Sequence, residues 1–434
     1  MQHSFDMIIG KEMYKWAEDL FPICRSITGQ GVRETLRYIQ KLIPDLEIHE
    51  VKSGTKAFDW EVPDEWNIKD AFVMDENGKK VIDFKKHNLH VVGYSDPIDR
   101  KISLDELQNH LYSLPNQPDA IPYITSYYKR RWGFCISDNE RKKLNPGTYH
   151  IKIDSSLKSG HLTYAQLILP GSSEEEILLS TYICHPSMAN NEISGPVVTT
   201  ALVRWLQTLK HRRYTYRIVF VPETIGSIVY ISQNVNEMKK NIKAGFVITC
   251  IGDTRTYSYL QSRQGNTLAD QTAKNVLRHH VKDYKEYSFL ERGSDERQYC
   301  SPGVDLPVIS IMRSKYGTYP EYHTSLDDMS FISPEGLQGG YNVLQKCIEV
   351  LENNFTYKTN VNCEPQLAKH GLYPTISKKD SKKKVQEILS LIAYADGNHT
   401  LLEIADKIGV FAGDLVPIVK KILETNLFDK VKDI

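Results

Sequence analysis

The sequence predicts an α/β protein: a mixed sheet flanked by helices, with a nested β-rich subdomain and a C-terminal winged-helix domain. Three observations predict it. Strand and helix patterns alternate between residues 148 and 360. Three of the five tryptophans, Trp60, Trp66 and Trp132, fall between 53 and 146 among short strand candidates and Pro/Gly/Asn/Asp turns. Three short helix patterns close the chain after Pro365. Alternation of the first kind implies a sheet covered on both faces, and short runs bounded by turn residues imply β structure.

In chain order, apolar residues at helical spacing (Ile8, Ile9, Tyr14, Trp16, Ala17, Leu20, Phe21) predict a helix over 7–23. A turn follows at 26–31, then a helix over 32–42 that stops at Pro44, then a strand over 47–51. The β-rich insertion begins near Ser53 and ends near Pro146. Strands are then predicted at 149–153, 162–169, 177–183, 216–221, 245–251, 258–262 and 308–312, with helices at 194–209, 227–236, 266–281 and 334–352. Ser194 and Ser227 are the expected N-caps, because a short side-chain oxygen can accept an orphan N–H. After Pro365 comes a linker, a lysine-rich run at 378–384, helices at 385–394, 400–408 and 413–423, and a strand at 427–431. The domains are therefore 1–52 with 147–362, the nested 53–146, and 366–434. A chain of 434 residues suits two or three domains at roughly 150 residues each.

Composition narrows the function classes. A formal net charge of +0 gives no global basic excess for nucleic acid. The N-terminus lacks a basic stretch followed by an apolar core, and no apolar run approaches the ~20 residues needed to span a bilayer. Seven cysteines lie far apart, with no close pair. That pattern suits reduced thiols in the cytoplasm rather than a disulfide framework or a cysteine-type zinc finger.

Four segments carry candidate chemistry, each near a predicted strand end, where open α/β sheets bind ligands. In 181–195, TYICHPSMANNEISG, a hydrophobic strand delivers His185 to a polar loop; imidazole is the commonest metal ligand. In 217–227, RIVFVPETIGS, a buried strand ends in Glu223, a carboxylate suited to moving a proton between water and a leaving amine. In 291–311, Ser294, Asp295, Glu296 and Arg297 precede an apolar strand, a cluster suited to orienting an imidazole or binding a substrate carboxylate through Arg297. In 319–333, YPEYHTSLDDMSFIS, His323 follows a core strand, with Asp327 placed to fix its tautomer. Taken singly, each also has a plain structural explanation: a capping histidine, a helix-capping carboxylate, a solvated charged loop, a surface histidine. His279 and His280 close a helix, where the macrodipole already explains them.

The four in this order resemble the co-catalytic zinc aminopeptidases and glutaminyl cyclases. More closely, CRSITGQGVRETL, YYKRRWGFC, CHPSMAN, PETIGS, GSDERQYC and YHTSLDD resemble a bacterial aminopeptidase-like family of unknown function associated with polysaccharide biosynthesis. The resemblance implies a zinc-aminopeptidase-like sheet, a nested β-rich domain and a C-terminal winged helix. It assigns His185 and His323 as metal ligands and Glu223 as general base. Asn191 stands where a bridging aspartate is expected, and Thr224 where a second glutamate would bind a second metal. The acid of the TCIGD segment is Asp253, displaced along its loop. Asparagine lacks the charge that offsets desolvation of a zinc ligand, so one zinc is expected rather than two. Its carboxylate is Asp253, Glu192 or Glu223. Arg25, Ser26 and Thr28 are implied to line the pocket.

The expected reaction is metal-assisted hydrolysis of an amide in a peptide or an acylated amino-sugar, with Asp295, Glu296 or Asp253 holding the substrate's amino group. Asn191 and Thr224 favour the alternative, a binding module descended from an enzyme. A third reading takes the last domain as a DNA-binding regulator. Residues 366–434 hold eleven lysines against nine acids, a net of +2, and the helix over 413–423 offers two adjacent lysines and no arginine. DNA readers carry a stronger basic face, so protein–protein contact is expected instead. The tryptophans of the insertion suit either a lid or carbohydrate platform, or that subdomain's own core.

Overall fold

The computed structural model describes residues 7–372 and 381–431, so part of the linker after Pro365 and of the lysine-rich run 378–384 lies outside the described residues. The chain divides into two compact units, Met1–Gly265 with Lys285–Tyr341, and Asn266–Tyr284 with Asn342–Ile434.

The first unit opens with helices α1 (Met7–Leu20) and α2 (Gln30–Leu42). In α2, Val32, Thr35, Leu36 and Ile39 are buried at i, i+3, i+4 and i+7, one face of a helix. Its N-terminus follows Gly29 at φ 98°, where a Cβ would meet the Trp66 carbonyl at 2.1 Å, so only glycine fits.

Eight strands form the central sheet: β1 (Glu47–Lys52), β2 (His161–Leu169), β3 (Glu176–Tyr182), β4 (Thr215–Val221), β5 (Ile242–Val247), β6 (Ser258–Leu260), β7 (Lys285–Tyr287) and β8 (Val308–Met312). Their order across the sheet is β1-β2-β4-β3-β5-β8-β6-β7. The centre, β4-β3-β5-β8, is parallel, while β1, β2 and β6 join antiparallel. Every residue of β3 and of β8 is buried, as expected where both faces of a parallel sheet are covered. Helices α3 (Ser194–Thr208), α4 (Ile225–Asn241) and α5 (Pro334–Asn353) follow β3, β4 and β8 in the chain. The parallel centre points the C-terminal ends of β3, β4, β5 and β8 toward one edge.

The insertion holds a four-stranded antiparallel sheet in the order Lys80–Asp83, Glu65–Met74, Thr148–Lys158, Ile98–Ser103. The strand predicted at 149–153 thus pairs within the insertion, whose sheet runs on to Lys158. Its first half alternates buried and open positions, unlike the continuously buried central strands. Two of the three tryptophans are structural. Trp66 is buried and donates its indole N–H to the Ser95 carbonyl, and Trp132 stacks on His110 at 3.6 Å.

Neither predicted serine cap forms. Ser194 donates to the Asn190 carbonyl and accepts from Ile251 N, because a wide turn at Ala189–Ile193 precedes the helix. Ser227 lies inside α4 and donates to Asp295 and to the Thr224 carbonyl.

In the second unit, Thr356–Thr359 is the middle strand of a three-stranded sheet, between Asp396–Thr400 and Phe428–Lys430. Helices Ser381–Tyr394, Leu401–Ile408 and Ala412–Glu424 complete a winged helix that starts before the predicted residue 366. Helix Leu401–Ile408 has a full capping box, Thr400 with Glu403, and ends at Gly409 in the left-handed region. Asn275, on helix Leu268–His280, bonds Asp406, the Val410 carbonyl and Ala412 N.

Candidate active site

His185 lies just beyond β3 and Glu223 just beyond β4, so parallel pairing of the two strands brings them together. His185 Nδ1 hydrogen-bonds Glu192 Oε2 at 2.9 Å, and Nε2 lies 3.5 Å from Glu223 Oε2. The His185 carbonyl accepts from Arg25 Nε, and Arg25, itself 1% exposed, stands 3.7 Å from Glu192. Burial, with Arg25 adding to it, holds His185 down at about 3, so the ring is neutral. Burial pushes Glu192 up to about 8 against the opposing pull of Arg25. Ligation through Nε2 needs the ring proton on Nδ1, where Glu192 stands ready to accept it.

His323 meets His185 with ring centroids 5.4 Å apart. It stacks on Tyr322 at 3.9 Å, adopts φ 57°, and its buried Nε2 has no hydrogen-bond partner among the described residues. Burial first, then His185, lowers it to about 3. The insertion fixes this loop. Tyr123 N donates to the His323 carbonyl, Ile121 exchanges bonds with Ser325, and the Tyr123 ring lies 5.2 Å from both imidazoles.

The carboxylate of Glu223 is 21% exposed, and burial, reinforced by Asp295, raises it well above the ordinary range. Its amide donates to Cys184 Sγ. Next to it, Thr224 sits at φ 65°, ψ −77°, a costly conformation for a β-branched residue. Asp295 holds the Thr224 N–H at 2.7 Å and Arg297 holds its hydroxyl at 2.6 Å. That loop therefore positions Glu223 rather than an imidazole.

Several predicted roles are corrected. Asp253 does not join the histidines: its oxygens accept from Asn190, Ser314 and Arg255 N. Asp327 does not touch His323; it accepts from the amides of Asn190 and Asn191 and from Tyr319. Glu296 is engaged by Gly293 N, Ser294 N and Tyr316. Asn191 bonds the Tyr182 hydroxyl through its amide nitrogen, while its Oδ1 is buried without a partner among the described residues. Arg25 is a buried support rather than a lining group, and Ser294 is buried, its Oγ without a partner among the described residues.

A cavity of about 330 Å³ opens on His185, His323, Glu223, Thr224 and Arg297. It is also lined by aromatic rings, Trp60, Tyr123, Tyr127 and Tyr128, all from the insertion. Sequence reasoning reached Trp60 only as part of an aromatic insertion suited to a lid, a carbohydrate platform or its own core, and missed Tyr123. The YYKRRWGFC motif was the signal available for Tyr127 and Tyr128. Among the described residues, Cys184, His185 and Glu192 bring three metal-capable atoms within 4.8 Å of one another. The Arg25 guanidinium stands 3.7 Å from Glu192 there, and a second cation would be repelled.

An eight-stranded mixed sheet, helices on its faces, two histidines and a glutamate at its strand ends, and a winged helix define an aminopeptidase-like α/β protein. The chain belongs to the family described as Domain of unknown function (DUF4910), which matches residues 14–354, and a winged helix-turn-helix family matches 355–430. It is 48% identical over 403 residues, 92% of each chain, to a Clostridium acetobutylicum protein named for polysaccharide biosynthesis and an aminopeptidase-like domain. A crystal structure described as a peptidase from Clostridium acetobutylicum is similar at TM-score 0.93 and 44% identity, covering 98% of this chain and 97% of that one. A zinc aminopeptidase from Bacillus subtilis is similar at TM-score 0.57 over 78% of this chain and 94% of its own; at 11% identity the likeness is of fold. No helix among the described residues is long and apolar enough to cross a membrane.

Proposed function

We propose that this chain is a one-zinc amide hydrolase of the aminopeptidase type, acting in the cytoplasm on a peptide-like or acylated amino-sugar substrate of cell-surface polysaccharide metabolism. The observation that carries it is the pairing of two neutral imidazoles, 5.4 Å apart, with a carboxylate on one cavity. His185 and His323 are the residues that would hold the ion. An imidazole nitrogen left without a partner in a buried site, as in His323, is the donor such an ion satisfies. A second ion does not fit: Asn191 and Thr224 carry no charge, and Asp253 is engaged elsewhere.

Bound zinc would polarise the carbonyl and lower the pKa of a bound water toward ~7. Glu223 takes a proton from the attacking water and gives it to the departing nitrogen. The water oxygen first adds to the carbonyl carbon, and the C–N bond breaks as the tetrahedral adduct collapses, so one water and one amide yield a carboxylic acid and an amine. Glu223 lines the cavity with its Oε2 3.5 Å from His185 Nε2, which suits it to both halves of that transfer. Glu223→Gln is expected to abolish turnover while zinc stays bound. Unchanged turnover contradicts the role, and loss of zinc makes Glu223 a ligand.

The second reading, a binding module, is favoured by Asn191 and Thr224. Zinc content at neutral pH separates the two, since a chain that takes up none is a binder. For the winged helix we keep protein contact over DNA, since helix Ala412–Glu424 offers Lys420 and Lys421 and no arginine. Salt-sensitive retention of the full chain on duplex DNA would overturn that preference.

A further inference from the structure

An aminopeptidase must hold the substrate's free ammonium group with an acid. Here the carboxylates expected to do so do not line the cavity. Asp253 and Glu296 are bonded to backbone and side-chain donors, and Asp295 turns one oxygen to Thr224 N and Ser227. Glu223 is the carboxylate that lines it.

The cavity does carry a cation with donors to spare. Arg297 lines it beside Glu223 and donates one hydrogen bond, from Nη2 to Thr224 Oγ1. Its Nε is buried without a partner, and no ion pair to it is present among the described residues. A guanidinium has five N–H donors in a fixed fork that matches a carboxylate. Leaving buried donors unmade is costly, so a ligand acceptor is the natural complement. In the same cavity lining, Trp60 and Tyr128 meet edge to face at 5.8 Å and remain 38% and 60% exposed. Open aromatic faces suit a ring on the ligand.

We infer that the cavity takes N-acylated amino acids, amides with a free carboxylate beside the nitrogen and a ring on the same residue. Arg297 binds that carboxylate, and the free-amine amides of an aminopeptidase are poor ligands. The inference rests on the hydrolase reading for which bond is cut. Carboxylate binding itself stands without it.

The test is calorimetric binding of N-acetylphenylalanine, N-acetylphenylalanine amide and phenylalanine amide to the full chain. The acid is expected to bind on the order of tenfold more tightly than either amide, the gain of a charge-assisted hydrogen-bond pair. That advantage disappears in Arg297→Met and survives in part in Arg297→Lys. Thr224→Val removes the same internal bond but keeps the guanidinium, so it retains the advantage and controls for disturbance of the turn. Thermal unfolding shows which variants are folded. Equal binding of acid and amide, no binding of the acid, or preference for phenylalanine amide overturns the inference. Acid preference without hydrolysis supports it and sinks the hydrolase reading instead.

Discussion

His185 is held from three sides: Nδ1 by Glu192, its carbonyl by Arg25, and Nε2 by the approach of Glu223. Arg25 also ties the Leu20 carbonyl at 2.8 Å, so one buried guanidinium connects the end of α1 to the site. Arg25→Met leaves Glu192 buried without its cation. It is expected to destabilise the chain by about 3–5 kcal/mol, read as a lowered denaturation midpoint; a shift within error would mean the pair does not matter. At this scale the sequence was half legible. His185, Glu223 and His323 follow apolar runs, and position after a strand is a sequence property. Whether a carboxylate faces a cavity or receives backbone N–H groups is not. Asp253, Asp327 and Glu296 therefore read as site acids and prove to be structural acceptors.

Between elements, two close contacts set the geometry. Gly336 in α5 lies against the loop after β5, where a Cβ would stand 1.9 Å from the Gly252 carbonyl. Gly336→Ala forces that loop to move and is expected to cost about 1–3 kcal/mol in chemical unfolding; a neutral result would contradict the packing. The second contact joins α2 to the insertion, where Arg33 Nη1 donates to Glu65 at 3.2 Å. Burial alone would raise Glu65, but the hydrogen bonds from Arg33, Asn67 and His161 N outweigh it and hold the group at about 2. A carboxylate depressed in the folded state contributes stability above its unfolded value and loses it as pH falls toward the folded one. Thermal midpoints should therefore fall between about pH 4.5 and pH 2, and Glu65→Gln should flatten that part of the profile. A variant with the wild-type slope would place the acid sensitivity elsewhere. Strand legibility follows the same physics. The central strands read as continuous apolar runs because both faces are covered, whereas Lys285–Tyr287, Thr356–Thr359 and Asp396–Thr400 (KEY, TYKT and DGNHT) carry almost no apolar signal and were missed.

For the whole molecule, the α/β sheet supplies the imidazoles and the glutamate, while the insertion supplies the aromatic wall and the bonds that fix the His323 loop. That adjacency exists only in three dimensions, which is why the insertion read as either a lid or a self-contained core. The account stands on His185 and His323 sharing one cation. Zinc titration of the metal-stripped full chain, beside His323→Ala, tests this most directly. Uptake of about one zinc per wild-type chain, with little or none by the variant, is the predicted result. Wild-type protein that takes up no zinc, or a His323→Ala chain that holds as much as the wild type, would contradict it.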